Sequence, residues 1–241
     1  MAFIAREHLR QTDPGATLVK VVTRAKTSLD SAVVLSVPKR QISVVFRGSQ
    51  QAVDWLYDLY VFKTMDELGV RVHAGFHRQL HDDGGGAQKP AIEEIADTVN
   101  DLLKTYPGFN IFVTGHSLGG ALSSLCAFEL SHLCYTTKVH NFSFASPRVG
   151  DRNWRTKVNA RPNLLHYRIG TAGDTFTSVP SINYVHAQTW TIVLDPLKQQ
   201  PTFFGPNDSY PWFSQFAMWS NVRPLRHSTT AYWQALDANK W

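Results

Sequence analysis

The sequence predicts an α/β fold in which helices cover both faces of a mainly parallel central sheet. Short apolar segments typical of buried strands alternate along the chain with longer segments of helical periodicity, and this alternation favours a parallel sheet. The composition agrees, since 43% of the 241 residues are hydrophobic and 18% are charged, which suits a sizeable core. The length and the lack of internal repeats favour a single domain over residues 1–241.

The first half of the chain contains a hairpin, a loop and a helix. Ala32–Val37 and Ile42–Phe46 are apolar runs joined by a Pro-Lys turn, which predicts two paired core strands. Asp82–Gly86 is glycine-rich but precedes no Lys-Ser or Lys-Thr pair, so we interpret it as a loop without phosphate-binding function. A helix is predicted from Pro90 to the Tyr106–Gly108 turn. Its apolar face comprises Ile92, Ile95, Ala96, Val99, Leu102 and Leu103.

The second half repeats the strand-then-helix order and then departs from it. A buried strand at Ile111–Thr114 is followed at once by a glycine and a helix over Leu118–Leu133. Later strands are predicted at Asn141–Ala145, Leu164–Ile169 and Tyr184–Val193.

Residues 196–224 combine many prolines with many aromatic residues and fit neither pattern. We interpret this stretch as an insertion packed irregularly on the core, with a cap or wall for an apolar substrate pocket as the alternative. Its prolines and aromatic residues are Pro196, Pro201, Phe203, Phe204, Pro206, Tyr210, Pro211, Trp212, Phe213, Phe216, Trp219 and Pro224.

The charge distribution excludes some classes of partner. The formal net charge is +5 and the sequence pI is about 9.2, but the 24 Lys and Arg residues are scattered. Nucleic-acid binding needs a basic stripe, so we expect no nucleic-acid partner and read the charge as a solvated surface. Mild attraction to anionic interfaces is the alternative. No apolar stretch approaches the roughly 20 residues of a membrane-spanning helix, so no transmembrane segment is predicted.

The cysteines and the first residues bear on the compartment. Cys126 and Cys134 lie eight residues apart in one predicted helix. A rise of about 1.5 Å per residue separates them by about 12 Å, too far for a disulfide. Met1–Glu7 lacks the apolar core of a signal peptide. These features predict a cytoplasmic protein, with a mature secreted chain as the alternative.

The strongest functional signal is the sequence GHSLGGA at Gly115–Ala121, between the buried strand and the long helix. A G-x-S-x-G sequence in this context predicts a strained strand-to-helix turn that projects the hydroxyl of Ser117 above the sheet. Glycines at 115 and 119 leave room for the turn, and the helix N-terminus behind Ser117 favours an oxyanion. Ser117 is therefore the predicted nucleophile of a serine hydrolase.

The expected chain order of serine, then acid, then histidine narrows the choice of base. Histidines before Ser117 are excluded, His132 and His140 precede any good acid, and His166 lies within a predicted core strand. His186 also falls inside a predicted strand, where a structural role is the better interpretation. His227 lies at a loop-to-helix junction, where catalytic side chains are more common, and is the predicted base.

Asp174 is the predicted acid, because it directly follows the strand Leu164–Ile169 at the carboxyl edge of the sheet. Its role is to hold His227 in the correct tautomer and to stabilise the imidazolium. Asp151 is better explained as a helix N-cap, and Asp195, before Pro196, as a turn residue.

His73, His77 and His81 are spaced four residues apart, as metal ligands on a helix would be. The sequence offers no clear third-ligand motif of the kind that zinc sites show. We therefore expect solvated or capping roles for these histidines, and neither a metal nor another cofactor.

Several blocks together resemble the class 3 lipases, a fungal-type family of α/β-hydrolases, from about Ser43 to Trp233. The resemblance implies an α/β-hydrolase fold with a short lid and places Ser117, Asp174 and His227 at the family's triad positions. The blocks are Val45–Ser49 with Asp54–Leu59, Val72–Phe76, Gly115–Ala121 and Phe144–Asp151. The histidine of the Tyr184–Gln188 block is similar to a non-catalytic one in the family.

The resemblance also implies residues around the reacting carbonyl. Ser49 falls at the family's oxyanion position, the backbone N–H of Leu118 would be the second donor, and Asp58 would orient Ser49. Gln50–Tyr60 would form a helical lid that opens at an oil–water boundary. The family's secreted fungal members usually carry leaders and disulfides, which this sequence does not show.

The function that follows is serine-dependent hydrolysis of carboxylic esters, foremost as a triacylglycerol lipase in transient contact with lipid. An esterase for polar or aromatic esters, or a phospholipase, is the alternative within enzymes. The alternative from another class is a catalytically silent hydrolase fold used for binding.

Overall fold

The computed structural model describes residues 13–48, 62–195, 200–205 and 224–239. An eight-stranded sheet forms its centre, and two short strands form a second sheet. The strands are β1 Ala16–Arg24, β2 Leu29–Ser36, β3 Gln41–Phe46, β4 Lys63–Met65, β5 Arg71–His73, β6 Asn110–His116, β7 Val139–Phe144, β8 Leu164–Thr171, β9 Trp190–Leu194 and β10 Thr202–Phe204. The α-helices are α1 Ala74–His81, α2 Ala91–Thr105, α3 Leu118–Leu133, α4 Arg152–Asn159 and α5 Thr229–Ala238.

The central sheet has the order β1-β2-β3-β6-β7-β8-β9-β10. The five strands from β3 to β9 in this order run parallel, and antiparallel pairs flank them at both edges. The predicted hairpin is β2 paired with β3, and β1 extends it outward. The predicted mainly parallel α/β sheet is therefore confirmed.

The helices bury their apolar sides against the two faces of this sheet. α2 begins after Pro90, as predicted, and buries the early part of its apolar face, while Leu102 and Leu103 stay partly buried. α3 is buried on nearly every side, which fits its low charge and small residues. α5 packs on the other face, where Ala235 joins a second cluster with Ile169 and Ile192.

Two sequence predictions about the later chain were wrong in part. Tyr184–Val193 is not one strand, because Val185 makes a single bridge to Gly150 whereas β9 pairs with β8 only from Trp190 onward. The chain changes partner between these points, which an alternating pattern does not reveal. Within 196–224, Thr202–Phe204 forms the regular edge strand β10, so the prediction of an irregular insertion does not hold there.

Two predictions concern membranes and thiols. In the part of the chain that the structure describes, no helix has the length and apolar character needed to cross a membrane. Cys126 and Cys134 are both buried and unbonded to each other, as predicted. Burial raises the pKa of both thiols, so they are held in the protonated form.

Candidate active site

Ser117 occupies the single position between the end of β6 and the start of α3. Its backbone has φ 59° and ψ −122°, a conformation that L-residues seldom adopt. Such strain persists only where the surroundings fix the backbone, and it is the conformation expected of a nucleophile on a strand-to-helix turn. The local prediction from the G-x-S-x-G sequence thus agrees with the structure.

The two glycines around Ser117 are required by close backbone contacts. A Cβ at Gly115 would lie 2.2 Å from the carbonyl oxygen of Gly119, and a Cβ at Gly119 would lie 2.5 Å from that of Phe46. Both distances are shorter than any real carbon–oxygen contact. The glycines therefore let β6, α3 and the end of β3 converge on the serine.

Three predicted side chains lie in one hydrogen-bonded line. The Nε2 atom of His227 is 2.7 Å from the Oγ atom of Ser117, although 110 residues separate them. The Nδ1 atom of His227 is 3.0 and 3.1 Å from the two carboxylate oxygens of Asp174. These contacts allow the imidazole to accept the serine proton while the carboxylate holds the other nitrogen as N–H.

The imidazole of His227 is packed between aromatic rings. The ring of Phe176 stacks on it with centroids 4.0 Å apart and an interplanar angle of 16°, and the ring of His116 lies 5.1 Å away. Burial, and to a lesser extent the proximity of His227, lowers the pKa of His116 to about 4. His116 is therefore uncharged at neutral pH, and both rings restrict the orientation of His227.

Asp174 has no solvent exposure and receives hydrogen bonds in addition to that of His227. The hydroxyl of Tyr232 donates to Oδ2 at 2.7 Å, and the backbone N–H of Phe176 donates to Oδ1 at 3.0 Å. Burial and the charge of Asp174 raise the pKa of Tyr232 well above its usual value, so the hydroxyl keeps its proton. The backbone N–H of Thr171 donates to the same hydroxyl at 3.2 Å. Sequence reasoning assigned no role to Tyr232.

The loop that carries Asp174 is held by a buried arginine. Arg148, in the loop after β7, donates to the carbonyl oxygens of Ser178 at 2.7 Å and Pro180 at 3.1 Å. Burial, together with the charge of Arg168, lowers the pKa of Arg148 to about 10, so it remains charged at neutral pH. The block around Arg148 was noted in the sequence only for its resemblance, without a role for this side chain.

The other residues considered as the base or the acid, His186 and Asp151, form contacts away from Ser117. His186 donates to the carbonyl oxygen of Thr177 at 2.7 Å, which agrees with a structural histidine, although it does not lie in a strand. Asp151 caps α4 by accepting the N–H of Trp154 at 3.0 Å, as predicted. The acid that contacts His227 is Asp174.

The predicted oxyanion site is described only in part. Leu118 is buried at the first position of α3, where its backbone N–H has no acceptor within the helix. That N–H adjoins Ser117, at the position where the second oxyanion donor is predicted. Ser49, Asp58 and the predicted lid at Gln50–Tyr60 lie outside the described residues.

His73, His77 and His81, which have the spacing of metal ligands on a helix, fall into two groups in the structure. His73 caps α1 by accepting the N–H of Gly75 at 3.1 Å, which confirms the capping prediction for this residue. His77 and His81 lie on α1 next to Glu67, which comes from the turn between β4 and β5. Glu67 had no signal in the sequence, because it is ten residues from His77 and in a different element.

A serine on a strained strand-to-helix turn of a parallel sheet, in line with a histidine and a buried carboxylate, defines the α/β-hydrolase fold. A family model described as "Lipase (class 3)" matches residues 43–184. The chain therefore belongs to the class 3 lipase family.

Two kinds of relative are similar in sequence. A lipase from Rhizomucor miehei is 36% identical over 118 residues, which cover 47% of this chain and 30% of that protein. Phospholipase A1-II 3 from Oryza sativa subsp. indica is 31% identical over 166 residues, covering 60% of this chain and 39% of the relative. The chain spans between 30% and 50% of the length of these and the next most similar relatives.

Solved structures share the fold. The Rhizomucor miehei triacylglyceride lipase superposes with a TM-score of 0.66 at 25% identity, covering 76% of this chain and 68% of that one. A triacylglycerol lipase from Penicillium expansum gives a TM-score of 0.71 at 22% identity, covering 80% and 76%.

Proposed function

We propose that this chain is a serine hydrolase that cleaves carboxylic esters, with Ser117 as nucleophile, His227 as general base and Asp174 as its orienting acid. The observation that carries the proposal is the 2.7 Å contact from His227 Nε2 to Ser117 Oγ, continued by the contact with the buried Asp174. A purely structural serine would need neither the strained turn nor this alignment.

The first half of the proposed reaction forms an acyl-enzyme. The Oγ atom of Ser117 attacks the ester carbonyl while Nε2 of His227 takes its proton. The negative oxygen that develops accepts the N–H of Leu118 and, in the proposed complete site, the N–H and hydroxyl of Ser49, oriented by Asp58. Each donor contributes roughly 3–4 kcal/mol to transition-state stabilisation in comparable sites. His227 then protonates the departing alcohol, which breaks the ester bond.

The second half reverses these roles with water. Nε2 of His227 takes a proton from water, and the hydroxide attacks the acyl carbonyl on Ser117. Collapse of the second tetrahedral intermediate releases the carboxylic acid and returns the proton to Ser117. The carboxylate of Asp174 stabilises the imidazolium in both halves without being protonated.

We propose a triacylglycerol as the main substrate and transient contact with a lipid surface as the working state. The relatives named as lipases support this choice, and the lid proposed at Gln50–Tyr60 and the aromatic insertion at 196–224 would suit an apolar substrate. As part of the same proposal, residues 1–241 form a single domain. The two unbonded thiols support a reducing, cytoplasmic location.

Phospholipase A1 activity is the second candidate, and one observation favours it. Relatives named as phospholipases A1 from Oryza sativa align with 60% to 75% of this chain, whereas the Rhizomucor miehei lipase aligns with 47%. Both activities would use the same nucleophile and differ in the head group beside the scissile ester.

Substrate preference is tested with four substrates under one set of conditions: a triolein emulsion, phosphatidylcholine vesicles, a long-chain p-nitrophenyl ester and a soluble short-chain one. We expect triolein emulsions to be hydrolysed faster than phosphatidylcholine vesicles, and the rate on a long-chain p-nitrophenyl ester to rise above its solubility limit because a lid opens at the interface. Ser117→Ala protein supplies the background rate. Faster release of the sn-1 acid from phosphatidylcholine would replace the first candidate by the second, and a preference for soluble short esters would indicate an esterase.

Covalent labelling separates an enzyme from a silent scaffold. A fluorophosphonate reacts with a serine whose proton can be removed by a neighbouring base, so we expect one adduct at Ser117, located by peptide mass spectrometry. His227→Gln protein should label much more slowly, because the amide nitrogen of glutamine cannot accept the proton of Ser117. Absence of an adduct in the folded wild-type protein would favour a binding protein.

A further inference from the structure

A cluster of two histidines and a glutamate lies apart from the three side chains proposed for catalysis. His77 and His81 are one turn apart on α1, and Glu67 reaches them from the turn between β4 and β5. One potential ligand atom from each of the three residues lies within 4.8 Å of the other two. Two separate elements therefore present metal-binding atoms to the same point.

The distances within the cluster are close to those of a metal centre. The Oε2 atom of Glu67 is 3.2 Å from Nε2 of His77 and 3.7 Å from Nδ1 of His81. A tetrahedral zinc ion with ligand bonds of about 2.0–2.1 Å separates its ligand atoms by about 3.3–3.4 Å. The two imidazoles are stacked, with centroids 4.1 Å apart and planes inclined by 7°. The in-plane lone pairs of two stacked rings do not meet at one point, so the imidazoles would rotate out of the stack to place the three atoms around one ion.

A second carboxylate orients one of the imidazoles. The Nε2 atom of His81 is 3.0 Å from Oε1 of Glu129, and both side chains are 15% exposed. A hydrogen bond from Nε2–H to Glu129 leaves the lone pair of Nδ1 directed to the side of Glu67. A ligand histidine whose other nitrogen donates to a carboxylate is the usual arrangement around protein-bound zinc.

We propose that Glu67, His77 and His81 bind a Zn²⁺ ion through Oε2, Nε2 and Nδ1, with water as the fourth ligand and Glu129 as the group that orients His81. Two imidazoles and one carboxylate suit zinc better than magnesium or calcium, which prefer oxygen ligands throughout. The side chain of Glu67 is 65% exposed, which leaves room for the water.

Without the metal, the same side chains form ionic hydrogen bonds. Burial lowers the pKa of His81. The hydrogen bond and charge of Glu129, with the charges of Glu67 and Asp66, raise it by more, so the pKa of His81 lies above its usual value. Protons therefore compete with the metal for this site. Binding should therefore weaken as the pH falls, and it should be measured at pH 8, where fewer protons compete than at neutral pH.

The ion would join the turn between β4 and β5 to α1. A ligand that binds only the folded state stabilises it by mass action, so excess Zn²⁺ should raise Tm. This readout is independent of ester hydrolysis, and none of the four residues has been given a role at Ser117. If the site bound no Zn²⁺, the proposal of ester hydrolysis at Ser117 would be unaffected.

The test uses the full chain without a histidine tag, stripped with EDTA and titrated with ZnCl₂ by calorimetry. We expect one Zn²⁺ per chain and a rise in Tm. His77→Ala and Glu67→Gln should each weaken Kd at least about tenfold and reduce the rise in Tm, and Glu129→Gln should weaken Kd by about 10- to 100-fold. Glu93→Gln is the matched control, because Glu93 is similarly exposed at 60%, and should leave Kd unchanged.

Each outcome bears on the proposal. Co²⁺ can replace Zn²⁺ as a spectroscopic probe. An absorption spectrum typical of four-coordinate Co²⁺ in the wild-type protein, lost in His77→Ala, would support the proposal further. No Zn²⁺ binding by the folded wild-type protein would overturn the proposal. Equal binding by wild type, Glu67→Gln and His77→Ala would place the ion elsewhere and overturn it equally. Glu67 is exposed, so its glutamine variant should fold, as circular dichroism can verify.

Discussion

Ser117→Ala is expected to lower kcat/KM for ester hydrolysis by about 10⁴- to 10⁶-fold, the loss seen when a serine hydrolase keeps its oxyanion donors but lacks its nucleophile. Alanine retains the Cβ of serine, so the backbone at φ 59° is strained no more than before. The N–H of Leu118 also remains in place. The loss should therefore appear in kcat with little change in Tm, measured with a p-nitrophenyl ester and by thermal unfolding.

The control for this prediction lies in helix α3, which begins directly after Ser117. Ser123 is buried and its hydroxyl donates to the carbonyl oxygen of Gly120 at 2.8 Å, so Ser123→Ala makes the same chemical change without touching His227. We expect it to keep kcat/KM within a few-fold of wild type. If the Ser117→Ala protein were as active as the Ser123→Ala protein, the assignment of the nucleophile would be wrong.

Asp174→Asn is expected to lower kcat by about 10⁴-fold with little change in KM. An asparagine amide can donate to Nδ1 of His227, which moves the imidazole proton to Nε2. That nitrogen could then no longer accept the proton of Ser117 across the 2.7 Å contact. Stopped assays at high enzyme concentration can measure the residual rate.

Two further variants test whether the expected loss of kcat is specific to Asp174. Asp151→Asn should leave kcat unchanged, because asparagine also caps helices and the side chain of Asp151 accepts the N–H of Trp154 at the start of α4. Tyr232→Phe should cause a much smaller loss than Asp174→Asn, since it removes one of several donors to the carboxylate. An Asp174→Asn protein with kcat within tenfold of wild type would contradict the proposed tautomer control.

The turn at Ser117 could be predicted because its constraints are local. Gly115, Ser117 and Gly119 are close in sequence, and the steric reason for each glycine follows from one strand meeting one helix. Asp174 could be chosen because the carboxyl ends of parallel strands meet at one edge of the sheet. His227 could be chosen because it follows the acid in the chain and lies at a loop-to-helix junction. The structure brings His227, and not His186, to Ser117, although His186 does not lie in the strand predicted for it.

The contacts of distant segments around these predicted residues could not be predicted. Tyr232 and Asp174 meet through a hydrogen bond across 58 residues, and no periodicity marks the tyrosine as its partner. Glu67 reaches His77 only because the turn between β4 and β5 folds back on α1. The edge strands β1 and β10 were likewise not predicted, because they form only by pairing with β2 and β9.

The sequence by itself determined the fold class, the turn that presents Ser117, and the choice of His227 and Asp174 as its predicted partners. These depend on short-range sterics and on the order of strands, both of which the chain encodes locally. Only the tertiary structure decided that Tyr232 and Arg148 support Asp174 and its loop, and that Glu67 joins His77 and His81. Those arrangements depend on the course of loops between distant elements, because a hydrogen bond forms only when both partners arrive within about 3 Å.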